Sequence, residues 1–113
     1  MNINVLINKT LTEVKRHRGE DDEIQFVTDE GLNYTMAHQQ DCCEHVWIED
    51  ICGNLDDLVG SPILIAEEAV NSPHEGTTWT FYRLATIKGY VMIRWNGESN
   101  GYYSETVDFW ENK

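Results

Sequence analysis

Between Ala37 and Gly53 the chain reads AHQQDCCEHVWIEDICG, a stretch that holds all three cysteines, two of the four histidines and four of the twenty acids. His38, Cys42, Cys43, His45 and Cys52 are residues of the types that ligate zinc in a tetrahedron. Their spacing opposes a zinc site. Ligand pairs in structural sites are usually set two to five residues apart, whereas adjacent Cys42 and Cys43 on an extended backbone point to opposite sides, and no second pair follows Cys52. A redox dithiol would want the C-x-x-C spacing, and a disulfide between neighbouring cysteines is strained. A cysteine nucleophile needs a base in reach, for which His38 or His45 would serve, but the surrounding residues match no pattern of a cysteine enzyme. What remains is a strand: in VWIEDI, Val46, Ile48 and Asp50 alternate with Trp47, Glu49 and Ile51, and one or two of the thiols pack in the core as small hydrophobes. The expectation is therefore no catalytic residue, no metal and no cofactor.

Two other groups have the right chemistry for a site. Paired carboxylates occur at Glu49 and Asp50, Asp56 and Asp57, and Glu67 and Glu68, but no calcium-loop pattern joins them, so they read with Glu44 as an acidic, partner-binding face. The second group lies in RWNGESNGYY, where Arg94, Trp95, Asn96, Asn100, Tyr102 and Tyr103 bring a cation, amides and aromatic rings close together in sequence. Such groups stack a base and hold a phosphate, which makes this loop the candidate ligand site. The competing account is a hairpin with cross-strand aromatic pairs.

Charge narrows the partner. The net charge is −12, and from Gly19 to Glu75 there are fifteen Asp or Glu and no Lys or Arg. That field repels nucleic acid and anionic lipid and draws in basic surfaces. Direct nucleic-acid binding is not expected; imitation of nucleic acid is compatible with it. The longest apolar run, Pro62 to Ala66, is far too short to span a bilayer, and MNINVLINKT lacks the pattern of a signal peptide. Three cysteines fit a reducing compartment, so the expected location is the cytoplasm.

A chain of 113 residues with 41% hydrophobic and 11% aromatic content reads as one folded domain, residues 1–113. LTEVKRHR and EIQFVTD alternate about a GEDD turn and form a hairpin, and LNYTMAH adds a third strand with Leu32, Tyr34, Met36 and His38 on one face. GNLDDLVGSP fits one or two helical turns capped by Asn54 and stopped at Gly60, and ILIAEEAV reads as strand. TTWTFYRLATI, GYVMIRW and YYSETVDFW read as three consecutive antiparallel strands. Val91, Ile93 and Trp95 face one way along the middle one, and Tyr90, Met92 and Arg94 the other. The fold class expected is mainly β (α+β), an antiparallel roll or sandwich of about seven or eight strands with one short helix.

Two strings, HQQDCCEHVWIEDICGNLDDLVGSPILIAEE and TWTFYRLATIKGYVMIRWNGESNGYYSETVDF, give the chain a resemblance to a family of small uncharacterised proteins of phages and prophages. They run from His38 to Phe109 with a gap near Pro73. The resemblance brings no catalytic residues. It implies an accessory protein working inside a bacterial host cell. In that setting three functions compete. The first is an inhibitor of a bacterial defence system, anti-CRISPR-like, whose acidic face blocks a host protein or ribonucleoprotein complex with a basic surface. The second is a sponge for a nucleotide immune signal held by the Arg94 to Tyr103 loop, with a homo-oligomer sharing the pocket. The third is a small Cys/His metalloprotein or enzyme. They are expected in that order.

Overall fold

The computed structural model describes residues 1–17 and 21–113, so the first half of the Gly19–Asp22 turn lies outside the described residues. Among the described residues, eight strands form two four-stranded antiparallel sheets. The first has the order β1-β2-β3-β8, with β1 Leu11–His17, β2 Glu23–Thr28, β3 Asn33–Ala37 and β8 Asp108–Asn112. The second has the order β4-β7-β6-β5, with β4 His45–Cys52, β5 Ile65–His74, β6 Thr77–Thr86 and β7 Gly89–Glu98. The mainly β fold class anticipated from alternation is what the chain adopts. The short helix is a single 3-10 turn, Leu55–Leu58, with the Asn54 side chain accepting the Asp56 amide. A second such turn, Ile3–Leu6, precedes the first sheet.

One core draws on both sheets. Ile24, Phe26 and Met36 meet Tyr82, Leu84, Val91, Ile93 and Trp95, all fully buried, while Leu6 and Leu58 of the 3-10 turns are buried with them. Phe109 stacks on Tyr34 with ring centroids 5.3 Å apart and meets Phe26 edge to face at 5.9 Å, which anchors β8 to the core. The alternation of β7 is as the sequence indicates: Val91, Ile93 and Trp95 point in. β7 is also central, flanked by β4 and β6.

The structure corrects three details. The final strand does not pair with GYVMIRW. After β7 the chain crosses to the other sheet, where Asp108 to Asn112 pairs with β3, and the third strand against the β6–β7 hairpin is β4. Strict alternation in VWIEDI also fails, because a bulge between Ile48 and Asp50 inserts one residue. Ile48 and Trp95 are partners on the inner face, but Asp50 then falls opposite Arg94 and Ile51 opposite Ile93, so Asp50 leaves the face of Val46 and Ile48. In the third strand Tyr34 and Met36 sit in the core and Leu32 packs against it, but His38 lies just past the strand's end.

Candidate functional site

The first half of the cysteine and histidine stretch forms the connection between β3 and β4. Glu44, expected on the acidic face, is 4% exposed. Its carboxylate accepts the Asp41 amide at 2.6 Å, the Cys42 amide at 3.2 Å and His38 Nε2 at 3.0 Å. These bonds, the Asp41 amide foremost and the His38 ring next, outweigh the opposing effect of desolvation and hold the carboxyl at about 2, below its usual 4.5. The other ring nitrogen of His38, Nδ1, lies 2.6 Å from the Thr106 carbonyl oxygen. The His38 ring thus lies between two oxygens, the Glu44 carboxylate on one side and the Thr106 carbonyl on the other. Gln40 Nε2 donates to the Glu44 carbonyl at 2.7 Å and completes the loop. Glu44 therefore fastens the β3–β4 connection to the β7–β8 crossover and is withdrawn from any partner.

Cys42, Cys43 and Cys52 are all exposed, which overturns their assignment to the core. The backbone at Cys42 and Cys43 bends and is not extended, so the two side chains lie together and are joined Sγ to Sγ. His45 stacks on Trp47, ring centroids 4.4 Å apart. Among the described residues, no three of the His, Cys, Asp and Glu side chains converge on a point where a metal would sit. An open polar groove of about 420 Å³ runs past this loop, lined by Gln40, Asp41, Ser104, Thr106 and Asp108.

The remaining acids do not share one face. Glu49 accepts Trp47 Nε1 at 2.8 Å, Asp50 receives Arg94 Nε and Nη2 at 3.2 and 2.8 Å, and Glu67 lies 3.6 Å from Arg83. These three lie on the outer face of the second sheet, whereas Asp56 and Asp57 sit in the 3-10 turn beyond its end. Glu68, one residue on from Glu67, turns to the opposite side, towards the buried Tyr82. Burial first, and the Glu68 carboxylate second, push the Tyr82 phenol far above its ordinary range.

The candidate ligand loop is likewise divided. Trp95 is fully buried between the sheets and touches no solvent, so it leaves the site. Arg94 and Asn96, its neighbours, face outward. Asn100 and Tyr102 are exposed beyond the end of β7, and Tyr103 stacks edge to face on Tyr102 at 5.0 Å.

What the outer face assembles instead is a set of aromatics that the sequence reading did not select. In the ladder, Trp47 of β4 and Trp79 of β6 both lie opposite Asn96 of β7, and Phe81 lies opposite Arg94. Opposed residues of an antiparallel pair project to the same side, so Trp47, Asn96 and Trp79 form one row and Asp50, Arg94 and Phe81 the next. The Arg94 guanidinium carbon is 5.3 Å from the Trp79 ring centroid. Trp47, Trp79, Phe81 and Met92 are all partly exposed. The available signal was the odd-numbered spacing of Trp79, Phe81 and Arg83 against buried Thr80, Tyr82 and Leu84, which marks an aromatic outer face on β6.

Among the described residues, no helix is long and apolar enough to cross a membrane. No curated protein and no solved structure matches the chain. A family model does, over residues 4–109, and by that match the chain belongs to the family described as Domain of unknown function (DUF7448).

Proposed function

We propose that this protein acts by binding, as a phage-type accessory protein that inhibits a bacterial defence system by occupying the basic surface of a nucleic-acid-handling partner. The outer face of the β4-β7-β6-β5 sheet is its docking surface. The observation that carries this reading is that face itself. Trp47, Trp79, Phe81 and Met92 lie partly exposed beside Glu49, Asp50 and Glu67 on a chain of net charge −12. Aromatic residues, Met and Arg are the types enriched at the centres of protein interfaces, and acids around them steer a basic partner into register. The acids implicated are fewer than the sequence offered: Glu49, Asp50 and Glu67 surround the aromatics, Asp56 and Asp57 add to the field at one end, and Glu44 takes no part.

The test is capture of the partner from a bacterial lysate by wild-type protein, by a Trp47→Ala/Trp79→Ala variant and by a Glu49→Lys/Glu67→Lys variant, at low and high salt. The reading expects one nucleic-acid-handling protein held by wild type at low salt, released at high salt and lost from both variants while their thermal melts persist. A partner retained equally by all three would refute the face. Arg94, paired with Asp50 and lying over Trp79, supports the nucleotide-sponge alternative only if a nucleotide displaces that pair, and the −12 field opposes it.

A further inference from the structure

The two sheets have four outer strands, β1, β8, β4 and β5, and the first three are blunted. β4 is bulged next to Ile48, whose amide donates to the Asp22 carboxylate at 2.8 Å. β1 is bulged between Leu11 and Glu13, and its Leu11 carbonyl accepts the Gly60 amide at 2.9 Å. β8 has only five residues. β5 differs. It is ten residues long and pairs with β6 from Ile65 to Asn71 without a break, its irregularity and Pro73 lying at the far end. Among the described residues, its backbone makes no hydrogen bond outside the ladder with β6, and Glu67 to His74 are all exposed. Such a row of free N–H and C=O groups is a template for one more strand.

Charge selects which strand. No Lys or Arg occurs from Gly19 to Glu75, and β5 carries Glu67 and Glu68 in succession. Successive residues of a strand project to opposite faces. Glu67 is on the outer face, where its side chain stays 58% exposed in spite of Arg83 at 3.6 Å. Glu68 is on the other side and, with Gln39, Thr106 and Asp108, lines a groove of about 460 Å³ between β5 and the start of β8. Opposed residues of neighbouring strands share a face, so the two residues that an added strand sets against Glu67 and Glu68 are themselves consecutive, one on each face.

We propose that β5 takes an extended segment of the basic protein partner as a fifth strand of its sheet, with two consecutive Lys or Arg residues of that segment set against Glu67 and Glu68. This rests on the binding reading above and extends its docking face past β5. Backbone hydrogen bonds along the edge supply affinity, and the two carboxylates, one per face, supply selectivity for a dibasic segment. On the inner side the basic side chain meets Asp108 as a second carboxylate along the groove. A second copy of this chain fits the edge less well, because it brings the same acids and another charge of −12.

The experiment titrates isotope-labelled protein with the end-blocked peptide Val-Thr-Lys-Arg-Val-Thr-Val and with its counterpart carrying two glutamines in place of the basic pair, following backbone amides and their hydrogen exchange by NMR. The expected result is saturable shifts along Glu67 to Asn71 with exchange slowed at every second amide, the signature of a strand added to one edge. Binding is expected to be about tenfold weaker for the glutamine peptide, and equally so for Glu67→Gln/Glu68→Gln protein whose thermal melt persists. Peptide binding without protection of alternate β5 amides, or equal binding of both peptides, overturns the proposal. So does protection of those amides that grows with protein concentration and added salt in the absence of peptide, which would give the edge to a second copy. The failures are separable. If the captured partner is lost from the Trp47→Ala/Trp79→Ala variant yet leaves the β5 amides exchanging freely, strand addition is wrong and the docking face stands; if wild type captures none, the docking face falls first.

Discussion

At the scale of single residues, His38 and Glu44 make the hydrogen bonds that hold the β3–β4 loop. Glu44 titrates near 2 in the folded chain and near 4.5 when unfolded, so folding favours its ionised form. A depressed carboxyl contributes stability that is fully present above the unfolded value and disappears as pH falls through the folded one. The stability difference between wild type and Glu44→Gln, from urea melts, is therefore expected to be largest above about pH 5 and to shrink steadily towards pH 2. A difference that stays constant over that range would contradict the loop geometry. Neighbours on β7 provide a second contrast. Trp95→Ala removes a fully buried indole and is expected to cost about 3–5 kcal/mol. Arg94→Ala breaks an ion pair whose partners are 38% and 44% exposed and is expected to cost less than about 1 kcal/mol. Chemical denaturation of the two variants measures both. RWN therefore carries one residue of the core between two on the outer side of the sheet, of which Arg94 is partly exposed and Asn96 buried, a division that residue type alone does not show.

At the scale of elements, most strands were legible because their periodicity is local. EIQFVT, TTWTFYRLAT and GYVMIRW alternate as expected, LTEVKRH does not because a bulge between Leu11 and Glu13 breaks its register, and the cap at Asn54 marks its turn. The partner of each strand was less legible. β8 packs on β3 through Phe109 and Tyr34, a contact between residues far apart in sequence, while the nearer β7 is already saturated by β4 and β6. The bulge in β4 leaves no mark in VWIEDI, whose alternation runs straight through it, yet it decides that Asp50 meets Arg94. The aromatic row was invisible for the same reason: Trp47, Trp79 and Asn96 come together only once two strand registers are fixed. Where β4 ends, Gly53 has φ of 101°, and a Cβ there would run into the Tyr90 carbonyl oxygen. Gly53→Ala is expected to destabilise by about 1–3 kcal/mol, from the left-handed backbone and the clash together. An unchanged thermal melt would mean that the β4 end and β7 are not held this closely.

At the scale of the molecule, the charge of −12 is not gathered into one face: Asp50 and Glu67 lie on the outer face of the second sheet, Glu68 on its other side and Asp56 and Asp57 in the 3-10 turn. In the proposed complex, long-range attraction comes from the whole protein and specificity from the outer face, so the two respond differently to perturbation. Reversing acids remote from the face, as in Asp56→Lys/Asp57→Lys, is expected to slow association with a basic partner by about tenfold at low salt and to leave its dissociation nearly unchanged. Loss of Trp47 and Trp79 is expected to speed dissociation instead. Surface-plasmon kinetics on the captured partner separates these effects.

The central claim is that the protein excludes nucleic acid from its partner by covering a basic surface with the outer sheet face. The most direct measurement is a competition assay in which the captured partner, loaded with a labelled nucleic acid, is titrated with wild-type protein and with the Trp47→Ala/Trp79→Ala variant. The account predicts that wild type displaces the nucleic acid, that added salt weakens this displacement, and that the variant leaves the nucleic acid bound. A ternary complex of partner, nucleic acid and this protein, formed equally well by both, would contradict it.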